Sequence, residues 1–203
     1  MENSNNAFLN WCTSFSGCDD GGDIGSPQHP SVWICGIEPG GCLDYKDQNT
    51  VSLLFQEYYP TPATGSETCK ILNTRFGRQT AKLLGVLEGY TVDEYKKFSE
   101  IHQPYTKGKR GYFKWNLHPI PFKNTKPENW NLTLAKITGF PTKEAYINWV
   151  RENRYPFMQS QTLKHKPKLI LCFGITKKND FKSAFLETSS TLGKLCISNR
   201  HAT

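Results

Sequence analysis

The sequence lacks any long hydrophobic run. Within its 203 residues, no apolar segment approaches the roughly 18–20 residues that a transmembrane helix needs. The first residues, from Met1 to Asn6, lack the basic region and the apolar core of a signal peptide. These absences argue against a membrane-spanning protein and against a secreted one. We therefore expect a cytoplasmic protein that has no membrane partner.

The sequence also lacks a paired-cysteine motif. It has seven cysteines, an odd number, and no two of them form a C-x-x-C pair. Their spacing matches no standard zinc site, although Cys12 and Cys18 together with Cys42 or Cys69 leave a zinc site open as an alternative. Free thiols inside apolar strands act as small core side chains, and two cysteines lie in such runs: Cys35 and Cys172. We expect no metal and no cofactor.

Internal repeats and low-complexity segments are absent too, and the composition is that of a folded chain. Hydrophobic residues make up 37% and aromatic residues 13% of the sequence, which is typical of a globular protein rather than of a disordered one. The length favours one domain over residues 1–203, with residues 1–30 as an N-terminal extension. A net charge of +7 favours an anionic partner, most commonly nucleic acid. We expect a monomer with a nucleic-acid partner.

Short apolar runs alternate with segments of helical spacing. This alternation predicts an α/β fold in which helices cover both faces of a mainly parallel, four-stranded sheet. The third strand shows little alternation, as expected for a strand that is buried on both faces. In the long helix that begins near residue 141, Pro156 either kinks the helix or begins a new one. The predicted strands begin at residue 32 and span residues 111–117, 168–173 and 194–198, and the predicted helices lie at residues 51–59, 76–84, from 91, from 141 and at 178–187.

Three strand exits carry the candidate site residues. Parallel strands end at one edge of a sheet, where ligands bind in α/β folds, so the loops at residues 36–41, 116–122 and 174–176 are expected to converge. The first of these loops places the carboxylate of Glu38 among glycines, which allow a ligand to approach the backbone closely. The second loop contains Asn116 and His118. We therefore expect the site at this edge of the sheet.

Four segments, taken in order, resemble the uracil-DNA glycosylase superfamily over roughly residues 31–176. They are Gly36-Ile37-Glu38-Pro39-Gly40, Arg75-Phe76-Gly77-Arg78, Lys114-Trp115-Asn116-Leu117 and the strand at residues 167–175. They are similar, respectively, to the family's first active-site motif, its base-stacking segment, its base-reading strand and the strand before its final active-site loop. The resemblance implies a three-layer α/β/α fold.

The resemblance also implies a reaction, hydrolysis of the N-glycosidic bond of a flipped uracil or another modified base, in DNA repair or phage defence. In this reading Glu38 positions the attacking water, Phe76 stacks on the base and Asn116 reads its edge. His118 is a candidate donor to a developing oxyanion. Ile37 and Tyr45 would complete the base pocket, with Tyr45 excluding the methyl group of thymine.

The chain departs from the family at several positions. Glu38 stands where the family has Asp, Asn or Ala. The iron–sulfur branch has cysteine ligands at the positions that correspond to Ile120 and Arg154, so no cluster is expected. The family's late His-Pro-Ser or Asn-Pro-Ser loop has no counterpart, because Asn199-Arg200-His201 lies near the expected distance without a following Pro-Ser. Either the chain is a truncated piece or its C-terminal part has diverged.

Basic residues are expected to hold the DNA backbone without reading its sequence. The cluster at residues 164–168 precedes a predicted buried strand, and so it is expected at the edge of the sheet opposite the site. The residues expected to contact DNA are Gly40, Gly41, Arg78, Lys107, Lys109 and Arg110.

Each of these patterns also has a purely structural interpretation. Glu38 would then be a turn residue, Asn116 a locally hydrogen-bonded side chain, Phe76 a core residue, and the basic clusters solvated surfaces. Two other functions stay open: a non-catalytic DNA- or protein-binding module on the same fold, and a hydrolase of free nucleotides or nucleosides.

Overall fold

The structure is a computed structural model that describes residues 2–15, 21–40, 72–122 and 124–186. The strands are β1 (Gly21–Gly22), β2 (Val32–Gly36), β3 (Tyr112–Asn116) and β4 (Leu169–Cys172). The helices are α1 (Glu2–Cys12), α2 (Arg75–Leu87), α3 (Tyr95–His102), α4 (Leu132–Thr138), α5 (Lys143–His165) and α6 (Lys178–Phe185). The predicted helix at residues 51–59 and the predicted strand at residues 194–198 lie outside the described residues.

The strands form one sheet in the order β1-β3-β2-β4. The central strand β2 pairs in parallel with β3 on one side and with β4 on the other, whereas β1 runs antiparallel to β3. The prediction of a mixed α/β chain with a mainly parallel, four-stranded sheet is therefore confirmed. The fourth strand is not the expected one, because β1 consists of two glycines that carry no strand signal in the sequence.

Hydrophobic clusters lie on both faces of this sheet, because successive side chains of a strand point in opposite directions. On one face, Trp33 and Cys35 of β2 pack with residues of α1, α4, α5 and α6. On the other face, Val32 and Ile34 pack with Leu84 of α2 and with residues of α3. Helices thus cover both faces of β2, which explains why its sequence is continuously apolar.

Helix boundaries follow from local capping. The side chain of Thr142 accepts a hydrogen bond from the backbone of Ala145 and so caps α5. Pro156 lies within this helix, which continues through it to His165. Helix α1 was not predicted, although Phe8, Trp11 and Cys12 are buried and have helical spacing. No described helix is long and apolar enough to cross a membrane.

One strand differs from its prediction. The sequence suggests that β4 is buried on both faces, yet Leu169 and Ile170 are half-buried and Cys172 is exposed. The reason is position: in the described part of the chain, β4 is the last strand of the sheet and pairs only with β2. An apolar run alone does not distinguish a central strand from one at the margin.

Candidate functional site

The strand exits converge, as predicted, because backbone hydrogen bonds continue beyond the strands. The amides of Leu117 and His118 donate to the carbonyls of Gly36 and Ile37 at 3.0 and 2.9 Å. Farther along, the amide of Phe122 donates to the carbonyl of Pro39 at 3.1 Å. The exits of β2 and β3 therefore run side by side, and they hold Glu38 and His118 at the same edge.

The exit of β4 is packed against the same region. Gly174 has a φ of 134°, and a Cβ atom there would lie 2.6 Å from Cδ1 of Ile37. Only glycine combines this backbone conformation with so close an approach. Ile37, predicted to line the base pocket, is half-buried and lies against this glycine.

Gly36 brings together two of the predicted base-binding residues. A Cβ atom on Gly36 would lie 2.5 Å from Oδ1 of Asn116 and 4.0 Å from Cε2 of Phe76. Asn116 is 2% exposed, and its Nδ2 has no hydrogen-bond partner among the described residues. Phe76 is half-buried. A buried amide donor without a partner is costly, so this donor is available to a ligand beside an aromatic ring.

The Phe76 ring has two neighbours of its own. It packs edge-on against Phe173 with ring centroids 5.1 Å apart, and the ammonium group of Lys114 lies 5.2 Å from its centroid. These contacts fix the orientation of the ring relative to the end of β3. Its surroundings therefore combine an aromatic surface with a positive charge.

Glu38 is the most constrained residue at this edge. Its side chain is 5% exposed and that of Lys143 is 3% exposed. The lysine Nζ lies 3.2 Å from Oε1 and 3.1 Å from Oε2 of the carboxylate, and it also lies 3.9 Å from the centre of the Phe122 ring. Desolvation raises the pKa of Glu38, while the charge and hydrogen bond of Lys143 oppose that rise.

His118 is the second titratable group beside Glu38. Its Nδ1 lies 4.0 Å from Oε2 of Glu38, and its Nε2 lies 3.4 Å from the hydroxyl of Tyr155. Burial is the main cause that lowers the pKa of His118 to about 3, and Lys177 adds to it. The imidazole is therefore neutral at physiological pH.

The two ring nitrogens of His118 have different surroundings. Nε2 lies beside the hydroxyl of Tyr155, and either group can donate to the other, because a neutral imidazole has one donor and one acceptor nitrogen. Nδ1 faces Glu38 and has no hydrogen-bond partner among the described residues. In the tautomer that carries its proton on Nε2, Nδ1 is an acceptor on the side of Glu38, whereas the sequence suggested a donor to an oxyanion.

A buried arginine, Arg154, lies in the middle of α5. Arg154 donates to the carbonyls of Leu117 and Asn116 at the end of β3, at 3.0 and 3.2 Å. It also donates to the carbonyl of Cys12 at the end of α1 and to that of Ser14 just beyond it. No group of three or more metal-ligating side chains occurs among the described residues.

A cleft of about 690 Å³ opens beside the Glu38–Lys143 pair. Its wall contains Lys143 itself, so the cleft borders directly on the partner of Glu38. A second cleft, of about 520 Å³, shares Arg151 and Lys177 with the first one. Side chains that line the larger cleft include Trp130, Pro141, Thr142, Lys143, Ile147 and Lys177.

The predicted DNA contacts lie in two different places. Lys107, Lys109 and Arg110 are exposed, but their loop precedes β3 and so lies at its amino end. Gly40 is exposed and lies beside Phe122 at the site edge. Arg78 follows Phe76 in the first turn of α2, and its guanidinium group donates to the carbonyls of Leu72 and Asn73, both at 3.1 Å.

Some site residues escape sequence reasoning, and others lie outside the described residues. Tyr45 and Gly41 belong to the second group. Lys143 and Tyr155 were missed, because their partners are 105 and 37 residues away in sequence. The one available signal was a lysine at the first position of a helix, where a cation is unfavourable.

Comparisons with models of known protein families, with curated proteins and with solved structures found no match.

Proposed function

We propose that the protein is a DNA glycosylase with the three-layer fold of the uracil-DNA glycosylase superfamily, hydrolysing the N-glycosidic bond of a flipped uracil or another modified base. The proposal rests mainly on one observation: a buried Glu38 carboxylate lies 4.0 Å from neutral His118, at the edge that also carries Asn116 and Phe76. We further propose that the protein acts as a cytoplasmic monomer.

The pair of Glu38 and His118 is suited to hold a water molecule. Oε2 of Glu38 and Nδ1 of His118 both accept hydrogen bonds, and a water about 2.8 Å from each would donate to both. The lone pairs of such a water would point away from the two acceptors, toward a sugar carbon. The carboxylate would also stabilise the positive charge that develops on the sugar.

The reaction balances without a cofactor. The water oxygen forms a bond to C1′ of the sugar while the bond between C1′ and the base nitrogen breaks. The departing base takes the electron pair of that bond, and one water proton ends on the base. The enzyme is unchanged at the end of the cycle.

Asn116 and Phe76 supply the means to bind an extruded base. The unpartnered Nδ2 of Asn116 would donate to a carbonyl oxygen of the base, and the amide oxygen beside it would accept from a ring N–H. The half-buried ring of Phe76 would stack on the base. Uracil presents an N–H and a carbonyl oxygen side by side, which matches this pair of amide atoms.

A second candidate function is hydrolysis of free nucleotides or nucleosides. The observation that favours it is the position of residues 107–110, whose exposed cations lie at the opposite end of β3 from Glu38. A strand that is bound at the site would leave these cations unused. The same chemistry at Glu38 would serve either substrate.

A base-excision assay tests the proposal. Oligonucleotides carrying uracil, a thymine mismatch or a modified cytosine are incubated with the protein and then probed for alkali-labile abasic sites. We expect abasic sites with at least one substrate and a loss of about 10²-fold or more in Glu38→Gln, because the charge that supports the transition state is removed. The matched control is Glu100→Gln, an exposed glutamate on α3 that should retain activity.

Three outcomes would contradict the proposal. Equal activity of Glu38→Gln and the wild type would remove Glu38 from the mechanism. No abasic sites on any strand, together with salt-sensitive DNA binding, would favour a non-catalytic binding module. Base release from mononucleotides alone would favour the second candidate.

A further inference from the structure

We propose that Lys143 is a positioning residue for Glu38: its ammonium group fixes the direction in which the carboxylate faces and preserves its negative charge. This inference rests on the proposed function for its catalytic meaning. Sequence reasoning did not identify Lys143, and the proposed chemistry gives it no bond to make or break.

The geometry restrains the carboxylate from one side. Lys143 Nζ lies within 3.2 Å of both oxygens of Glu38, so neither oxygen can rotate away without losing a contact. Nζ is itself restrained by the Phe122 ring, whose centre is 3.9 Å away. The side of Oε2 that faces His118 remains for a further hydrogen bond. Lys143 therefore determines which part of the carboxylate can meet a water molecule.

The position of Lys143 is unfavourable in the absence of its partner. It is the first residue of a 23-residue helix, and the amino end of a helix carries partial positive charge that repels a cation. Its side chain is also 3% exposed, which removes the ammonium group from water. A lysine at this position destabilises the helix and loses the hydration of its ammonium group. The ion pair with Glu38 offsets both costs and so explains why a lysine is present.

Among the charged groups around Glu38, Lys143 has the strongest effect on its ionisation. The titratable groups of the described residues that face Glu38 are Lys143 and Tyr146 on α5, His118 after β3 and Lys177 after β4. His118 is neutral, since its pKa is lowered to about 3, and burial raises the pKa of Tyr146. Lys177 acts on Glu38 through its charge but forms no hydrogen bond to it.

Burial and Lys143 act on Glu38 in opposite directions. Desolvation is the largest influence and raises the pKa of the carboxyl group, whereas the charge and hydrogen bond of Lys143 lower it. Removing Lys143 leaves burial unopposed except by Lys177. The pKa of the carboxyl group would then rise further, and a protonated carboxyl group no longer supports a cationic sugar.

A titration of the protein alone tests the inference without any substrate. The side-chain carboxyl carbon of Glu38 is followed by ¹³C NMR in the wild type, Lys143→Met and Lys143→Arg, and the resonance is assigned by its loss in Glu38→Gln. We expect the Glu38 midpoint to rise in Lys143→Met by about one pH unit or more, a tenfold change in proton affinity. Lys143→Arg should keep the midpoint near that of the wild type, because the positive charge remains.

The matched control is Lys136→Met. Lys136 is an exposed lysine on α4, and its replacement should leave the Glu38 midpoint unchanged. If Lys143→Met does not fold, the reciprocal measurement replaces it. By linkage, Glu38→Gln must lower the pKa of Lys143, as followed by NMR of its side chain. A Glu38 midpoint that is unchanged in folded Lys143→Met, or a Lys143 pKa that is unchanged in Glu38→Gln, would overturn the inference.

The activity profile gives a second readout that a purely structural role would not change. On an oligonucleotide substrate, the acidic limb of kcat in Lys143→Met should move to higher pH in step with the NMR midpoint. KM should stay within about threefold, and Lys143→Arg should restore most of kcat. A shifted NMR midpoint without base release by the wild type would refute the proposed function but not the control of Glu38 by Lys143. Base release by the wild type, together with an unshifted Glu38 midpoint in Lys143→Met, would refute only the control of Glu38 by Lys143.

Discussion

At the residue scale, Gly36 is the position where a single methyl group would disturb Asn116, the side chain proposed to read the base. Its Cβ would lie 2.5 Å from Oδ1 of Asn116, and a buried amide has little room to move away. We expect Gly36→Ala to destabilise the fold by about 1–3 kcal/mol, the usual cost of overpacking. Thermal or denaturant unfolding measures this change.

Gly40 provides the matched control for that measurement. It lies in the same loop, and a Cβ atom there would meet no atom of the described residues within 4 Å. The free energy of unfolding of Gly40→Ala should therefore lie within about 0.5 kcal/mol of that of the wild type, as is usual for surface substitutions. Equal destabilisation by the two substitutions would show that Asn116 does not pack against Gly36.

The lowered pKa of buried His118 predicts that the stability of the fold depends on pH. Its pKa is lowered from 6.5 to about 3 in the folded chain, so below pH 6.5 the unfolded chain binds a proton that the folded chain does not. Its contribution to the free energy of unfolding is therefore lost as the pH falls from about 6.5 toward 3, with a slope of up to about 1.4 kcal/mol per pH unit.

The comparison of wild type with His118→Gln isolates this contribution, because the carboxyl groups of Glu38 and Asp180 also have shifted pKa values and add a pH dependence of their own. Urea unfolding between pH 4 and pH 7 is the measurement. We expect the stability of the wild type to fall more steeply with acidification than that of His118→Gln. Parallel curves for the two proteins would contradict a buried neutral imidazole.

The sequence could suggest part of the candidate site at this scale. Glu38 and Asn116 could be selected because each follows a strand end, and ligands of α/β folds bind there. Phe76 could be selected because its segment resembles a base-stacking one. Lys143 could not be selected, because nothing in the local sequence distinguishes a lysine that pairs with a residue 105 positions away from a lysine that faces solvent. Predicting an ion pair of this kind requires knowledge of which helix covers which strand exit.

At the element scale, Arg154 joins three parts of the chain. From the middle of α5 it donates to carbonyls at the end of β3 and to carbonyls after α1. It is fully buried, and hydrogen bonds from a charged donor contribute roughly 1.5–3 kcal/mol each. The single side chain therefore couples the N-terminal helix to the strand that carries Asn116.

We expect Arg154→Met to destabilise the protein by about 3–5 kcal/mol, because several buried carbonyls lose their donor at once. Chemical denaturation is the measurement. Glu152→Ala, an exposed neighbour on the same helix, should change stability by less than about 0.5 kcal/mol. If Arg154→Met lowered the free energy of unfolding no more than Glu152→Ala does, the role assigned to Arg154 would be contradicted.

Most elements were predictable because their signals are local. Thr142 and Asn131 cap helices through their own side chains, and the apolar runs of β2 and β3 are short and bounded. Strand β1 carries no such signal, since its two glycines pair with β3 only through their backbone. The exposure of Cys172 likewise depends on the position of β4 in the sheet, which the apolar run does not reveal.

At the scale of the whole molecule, basic residues lie in two places where a polyanion could bind: at the amino end of β3 and beside the cleft near Glu38. The net charge of +7 favours a nucleic acid, yet the exposed cluster at residues 107–110 lies at the opposite end of β3 from Glu38. Lys143 and Lys177 border the cleft beside the carboxylate instead. Composition could predict an anionic partner, but the face that meets it depends on the order of the strands.

The most direct test of the central claim is to identify the base that the protein releases. DNA carrying uracil, mismatched thymine and modified cytosine is incubated with wild type or Glu38→Gln, and the free bases are measured by mass spectrometry. The account predicts that the wild type releases one base from the strand and that Glu38→Gln releases it about 10²-fold more slowly or not at all. Release of no base, or equal release by both proteins, would contradict it.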